Sequence, residues 1–127
     1  MNLLNKKKIL VADDEQSIRA LVTRFLSNNY TVFEAEDGEV AIEMARLQKP
    51  DLILLDIMMP KMDGYTACHT LKRDPLTKTI PVVMLTGLSY ALNLKLSQEM
   101  GADGYITKPF THQDLLDTIG KLLTSPE

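Results

Sequence analysis

Four runs in this chain each stop at a polar residue of a particular kind. Lys8-Ile9-Leu10-Val11-Ala12 stops at Asp13-Asp14 and Leu52-Ile53-Leu54-Leu55 at Asp56. The run from Ile80 to Leu85 stops at Thr86, and Gly104-Tyr105-Ile106-Thr107 at Lys108. Leu52 to Leu55 is apolar without alternation, the pattern of a strand covered on both faces in a parallel sheet. The residue after such a strand lies at its C-terminal end, where open α/β sheets bind their ligands. Asp56 is therefore the leading candidate for chemistry. One isolated aspartate would be better read as a solvated loop residue; four polar strand ends on one edge call for more.

Three carboxylates gathered at that edge repel, and each pKa rises unless a cation shares them. Mg²⁺ suits such a site, since it takes oxygen ligands, keeps several waters and needs only one or two carboxylates. No His or Cys is placed to favour zinc. A carboxylate can also be the nucleophile that accepts a phosphoryl group as an aspartyl phosphate. The incoming oxygens then need neutralising by a metal, an ammonium and a hydroxyl. Asp56, Mg²⁺, Lys108 and Thr86 fill those roles. Asp13-Asp14 alone would be read as a helix cap, and Lys108 alone as a surface lysine. In combination they read as a phosphoryl-transfer site.

The elements between these ends must bring them together. Ile18, Leu21, Val22, Phe25 and Leu26 recur at helical spacing and stop at Asn28-Asn29. Tyr30 to Ala35 reads as a second strand, mixed in polarity and so nearer a sheet edge. Glu36-Asp37-Gly38 leads into a helix carrying Ala41, Met44, Ala45 and Leu47, which Lys49-Pro50 ends. A third helix runs from about Tyr65 to Lys72, and a weakly patterned fourth from about Tyr90 to Met100, with Gly101 as its left-handed C′ residue. Thr111 and Asp114 are spaced as a capping pair. Leu115, Leu116, Ile119, Leu122 and Leu123 then form the clearest amphipathic face.

Five strands alternating with five helices imply an α/β fold with helices on both faces of a parallel sheet. Right-handed crossovers favour a doubly wound five-stranded sheet of order 2-1-3-4-5, a flavodoxin-like (βα)5 three-layer sandwich. The first and third strands then lie side by side, and Asp13, Asp14 and Asp56 meet at one crevice.

At 127 residues and 45% hydrophobic the chain has the size of one domain, with a core over about residues 8–123. A net charge of −3 argues against direct nucleic-acid binding. The single cysteine, Cys68, excludes an intrachain disulfide and reads as a small buried residue of the third helix. His69 and His112 read as surface residues, and Met58, Met59 and Met62 as loop packing. No signal peptide or membrane-length apolar run is present, so a soluble, cytoplasmic protein is expected.

At this point the sequence resembles the receiver domains of bacterial two-component response regulators, the chemotaxis-regulator type. The likeness runs from about Lys8 to Leu123. It is carried by Val11-Ala12-Asp13-Asp14-Glu15, Leu55-Asp56-Ile57-Met58-Met59-Pro60-Lys61-Met62-Asp63-Gly64, Thr86-Gly87, and Gly101 to Phe110. The resemblance implies that Asp56 accepts phosphate from a phosphohistidine of a sensor histidine kinase or phosphotransfer protein. It implies Mg²⁺, or Mn²⁺ in its place, held by Asp14 directly, Asp13 mainly through water, Asp56, and the backbone carbonyl of Met58. Lys108 would contact the phosphoryl group and hold Asp56 at rest, and the Lys108-Pro109 peptide would be cis. Thr86 and Tyr105 match the switch pair, with the output face on the fourth helix, fifth strand and fifth helix. The expected protein is a signalling module rather than an enzyme, labelling only itself at Asp56 and losing the phosphate slowly.

Three departures refine this expectation. Gly87 replaces the alanine common after the switch threonine and loosens that loop. Met58 and Leu88, two residues beyond Asp56 and Thr86, are apolar where fast-hydrolysing members carry polar side chains, so a long-lived phosphoryl state is expected. Gly104 and Thr118 stand where receivers of winged-helix transcription factors commonly carry an acid and an arginine, which weakens the case for their charged dimer. A monomer, or a weak phosphorylation-dependent dimer, acting on a downstream protein or effector domain is expected. A stand-alone module is preferred over a receiver cut from a hybrid kinase or larger regulator. The competing reading, an aspartate-nucleophile phosphatase of the haloacid dehalogenase kind, needs an Asp-x-Asp motif after the first strand and a cap insertion. Here the acids are adjacent and no insertion is present.

Overall fold

The computed structural model describes residues 6–87 and 91–123, and of residues 91–93 the backbone alone. Strands β1 (Lys8–Ala12), β2 (Thr31–Ala35), β3 (Leu52–Asp56), β4 (Val82–Thr86) and β5 (Gly104–Thr107) alternate with five helices. The helices are α1 (Gln16–Leu26), α2 (Gly38–Gln48), α3 (Gly64–Arg73), α4 (Ala91–Glu99) and α5 (His112–Leu123). All strand pairs are parallel, in the order β2-β1-β3-β4-β5. This is the expected doubly wound sheet.

Alternation along the strands feeds two cores. Leu10, Ala12, Ile53, Leu55, Val82 and Met84 point to one face and pack against Ala41, Ile42 and Ala45 of α2 and Ala67, Cys68 and Leu71 of α3. Ile9, Val11, Leu52, Leu54, Val83 and Leu85 point to the other, against Val22 and Leu26 of α1 and Leu115 and Ile119 of α5. Every residue of β3 and β4 is buried, which explains the unbroken apolar runs. Each fully buried Leu or Ile contributes about 1.5–3 kcal/mol, so a polar residue inside β3 would be severe. Asp56 is tolerated because it closes the strand. β2, at an edge, mixes exposed Thr31 and Glu34 with half-buried Val32 and Phe33 before buried Ala35.

Helix ends follow local chemistry. Asp37 and Asp63 accept from the Val40 and Thr66 amides at the starts of α2 and α3. Thr111 and Asp114 bond each other's amides reciprocally, the expected capping pair. After α4, Ala102 N–H reaches the Ser97 carbonyl and Gly101 N–H the Gln98 carbonyl, with Gly101 at φ +97°. That double bond pattern is a Schellman closure. Lys49 ends α2 in the left-handed region at φ 48°.

Several boundaries and two side chains differ from the sequence expectation. β3 extends through Asp56, α3 begins at Gly64, and β4 begins at Val82 because Ile80 belongs to the preceding turn through its bond to Thr77. Leu47 is 74% exposed and Ile42 takes the buried position instead; six residues on from Ala41, Leu47 has rotated off the inward stripe. Met58 is 66% exposed rather than packed in its loop. Met59 is buried and Met62 half-buried, as loop packing requires. Leu88 and Tyr90 lie outside the described residues. His69 and His112 are at the surface, His112 stacked on Phe25 with ring centroids 4.9 Å apart.

Candidate metal and phosphoryl site

Strand register assembles the site. Ala12 pairs with Leu55, so one step on Asp13 lies level with Asp56. Asp56 pairs with Leu85, and Thr86 with Thr107, which places Thr86 and Lys108 one and two steps further around the same edge. Oxygens of Asp13, Asp14 and Asp56 all fall within 4.8 Å of one another. Asp14 is exposed, whereas Asp13 and Asp56 are buried.

The ammonium of Lys108 bridges the two buried acids, donating to Asp13 Oδ2 at 2.8 Å and Asp56 Oδ1 at 3.3 Å. The tighter partner is Asp13, not the Asp56 that the sequence paired with it. Asp13 Oδ1 accepts the Glu15 amide at 2.9 Å, so both its carboxylate oxygens are engaged. The helix-cap alternative for this acidic pair finds no support, because the N-cap of α1 is Glu15, which makes no side-chain cap bond.

These contacts set the electrostatics. Burial, then repulsion from Asp13, pushes the Asp56 carboxyl up to about 6, and the charge and hydrogen bond of Lys108 oppose that rise without cancelling it. Burial works against the Lys108 charge too, yet its bond to Asp13 and the charge of Asp56 carry it above its ordinary value. The site is thus short of positive charge by about one cation. An all-oxygen donor set with that deficit fits a hard divalent ion.

Thr86 closes β4, fully buried, and its carbonyl accepts the Lys108 amide. Tyr105 of β5 is half-buried between a groove of about 410 Å³ toward α5 and a cavity of about 180 Å³ toward α4. The Lys108-Pro109 peptide is cis. Gly87 is exposed, and a methyl group added there would meet nothing within 4 Å. Cys68 is buried on α3, and burial pushes its thiol up to about 11, which leaves it unreactive.

The residues that hold the β3–α3 loop carried little sequence signal. A Cβ at Gly64 would collide with the Asp56 carbonyl and lie 2.7 Å from Ile57 Cα, so only glycine lets α3 start against the end of β3. Gly64 N–H also bonds the Ile57 carbonyl at 2.8 Å. Across the loop, a Cβ at Gly38 would lie 2.7 Å from the Met62 carbonyl. Lys61, at φ 67°, approaches Asp37 at 3.6 Å. The sequence places the helix start at about Tyr65, and neither the Asp63 cap nor the contact of Gly64 with Asp56 is legible there. Arg19, whose Nη1 donates to the Asp13 carbonyl at 2.7 Å, was missed altogether. Six residues from Asp13 on a surface helix, it looked like one more solvated charge.

Comparison with known proteins agrees with this geometry. Residues 9–120 match the response regulator receiver domain family. The chain is 44% identical over 125 residues to "Probable transcriptional regulator ycf27" of Cyanophora paradoxa, covering 98% of this chain and 51% of that protein. It is 42% identical over 122 residues to the alkaline phosphatase synthesis transcriptional regulatory protein PhoP of Bacillus subtilis, covering 95% and 50%. The chain thus spans about half the length of the curated relatives it matches. Among solved structures, chemotaxis protein CheY4 of Vibrio cholerae superposes with a TM-score of 0.88 at 31% identity, covering 92% of this chain and 98% of that one. With the motif order, the sheet and the clustered site in agreement, the chain belongs to the receiver domain family of two-component response regulators.

Proposed function

We propose that this receiver is a phosphoacceptor in a two-component phosphorelay, with Asp56 taking a phosphoryl group from a phosphohistidine of a sensor kinase or phosphotransfer protein. The observation that carries the reading is the convergence of Asp13, Asp14 and Asp56 within 4.8 Å, with the Lys108 ammonium bridging two of them. In the transfer an Asp56 carboxylate oxygen attacks phosphorus and forms the new O–P bond. The P–N bond to the imidazole breaks, and its electron pair leaves with the histidine. Lys108 then turns its charge to the phosphoryl oxygens, and the Thr86 hydroxyl donates to one of them.

Asp14, exposed, and Asp56 would hold Mg²⁺ or Mn²⁺ together with the Met58 backbone carbonyl. Asp13, with both oxygens already bonded, would act through water. When bound, the ion neutralises charge on the acids and on the phosphoryl oxygens. Reorientation of Thr86 would free space for the Tyr105 ring, altering the surface formed by α4, β5 and α5. A downstream protein or an effector domain reads that surface. On this reading the 127 residues act as one cytoplasmic signalling module, monomeric or weakly dimeric when phosphorylated, that labels itself stoichiometrically and slowly loses the label. Direct contact with nucleic acid or membrane forms no part of this reading. No helix among the described residues is long and apolar enough to cross a membrane.

Beryllium trifluoride mimics the phosphoryl group at an aspartate. Adding it with Mg²⁺ should shift the NMR signals of Thr86 and Tyr105. Unchanged spectra at both residues would overturn the proposed switch.

A further inference from the structure

Asp13 has every polar group occupied, and one of its partners is unlike the others. Its amide donates to the Ala35 carbonyl at 3.1 Å, and its two carboxylate oxygens accept from the Glu15 amide and Lys108. These partners are backbone or belong to the site. Its carbonyl alone is held by a side chain of a neighbouring helix, Arg19 Nη1, at 2.7 Å. That carbonyl is half of the peptide joining Asp13 to Asp14. Because a peptide is planar, fixing the direction of its C=O fixes the N–H of Asp14 and the orientation from which the Asp14 side chain departs.

The guanidinium is itself held from behind. Arg19 Nε donates to Glu34 Oε1 at 3.3 Å, while the other Glu34 oxygen accepts the Thr23 hydroxyl at 2.8 Å. Arg19 and Thr23, four apart on α1, share one helix face, and Glu34 of β2 spans both. The pair is partly exposed, with the Arg19 and Glu34 side chains 16% and 36% exposed, and ion pairs open to solvent on one side stabilise modestly. The arrangement is better suited to aiming a rigid fork than to holding the fold together.

We propose that Arg19, braced by Glu34 and Thr23, is a positioning residue that fixes the Asp13–Asp14 peptide and thereby sets the affinity of the acidic cluster for Mg²⁺. This rests on the metal-dependent reading of the site given above. Two effects of Arg19 have opposite signs, which makes the proposal testable. By charge alone, removing a cation beside three carboxylates tightens Mg²⁺ binding. By positioning, removing it weakens binding, as loss of an outer partner of a metal ligand does by about 10- to 100-fold.

The experiment is an NMR shift titration with MgCl₂ on wild type, Arg19→Gln, Arg19→Lys and Thr23→Val, with urea unfolding in EDTA beside it. Arg19→Gln should weaken Mg²⁺ binding about tenfold while the metal-free unfolding midpoint hardly moves. Arg19→Lys keeps the charge and loses the fork, so it too should weaken binding; Thr23→Val changes no charge and should weaken it in the same direction. Equal or tighter binding in Arg19→Gln overturns the proposal. If that variant does not fold, wild-type affinity in Arg19→Lys overturns it instead. A wild type that binds no Mg²⁺ removes the metal-dependent reading itself and this inference with it.

Discussion

Replacing Asp56 by asparagine should stabilise the metal-free protein at neutral and alkaline pH. Asp56 is 4% exposed and faces Asp13, and its carboxyl rises from 3.8 to about 6. At about 1.4 kcal/mol for each tenfold change in proton affinity, that rise corresponds to about 3 kcal/mol held against the folded state when the group is charged. Asparagine keeps the shape and removes the charge, but its amide fits the Lys108 ammonium less well, so a net gain of about 2 kcal/mol is expected. For a chain of this length that is roughly 8 °C in Tm. For a carboxyl with a raised folded-state pKa, stability is fully present below its unfolded value and is lost as pH rises through the folded one. The advantage of Asp56→Asn should therefore be small near pH 4, grow through about pH 6 and level off above pH 7. Paired thermal melts in EDTA across that range make the measurement. Mg²⁺ should narrow the gap, because binding to the wild-type site adds stability by mass action. A variant less stable than wild type at pH 8, or a difference that does not vary with pH, would refute the electrostatic account.

Lys108→Ala leaves two buried acids facing each other without their cation, and should destabilise the metal-free protein by about 3 kcal/mol, more as pH rises, in urea unfolding. Gly64→Ala drives a methyl group into the backbone of Asp56 and Ile57 and should cost about 3 kcal/mol or more. Gly87→Ala meets open space and should be neutral or slightly stabilising, by about 0.5 kcal/mol. Met58→Asn places a polar group on an exposed side chain two residues from Asp56. It should speed loss of phosphate from the labelled protein, and equal decay rates in variant and wild type would count against the long-lived state.

What could be read from the chain divides along physical lines. The Leu52–Leu55 run disclosed β3 because full burial on two faces leaves no room for polar residues, and the polar stops at Asp13, Asp56, Thr86 and Lys108 marked one edge of the sheet. The Thr111–Asp114 cap and the Gly101 closure were legible because each is made within a few residues. Leu47 misled because a helical stripe is narrow and one step of rotation carries a leucine into solvent. Met58 misled because its apolar character says nothing of whether a loop has anything to pack it against. Arg19, Gly38 and Gly64 act through contacts with residues distant in the chain, or through the atom they lack, and composition does not register either. The departure at Gly87 is milder than it looked, since the loop has space for alanine there.

The most direct test of the phosphoacceptor reading is intact-mass spectrometry after incubation with acetyl phosphate. Wild type with Mg²⁺ should gain the mass of one phosphoryl group, and neither Asp56→Asn nor wild type in EDTA should gain any. Equal labelling of Asp56→Asn, or sustained turnover of a phosphoester without a labelled protein, would contradict it.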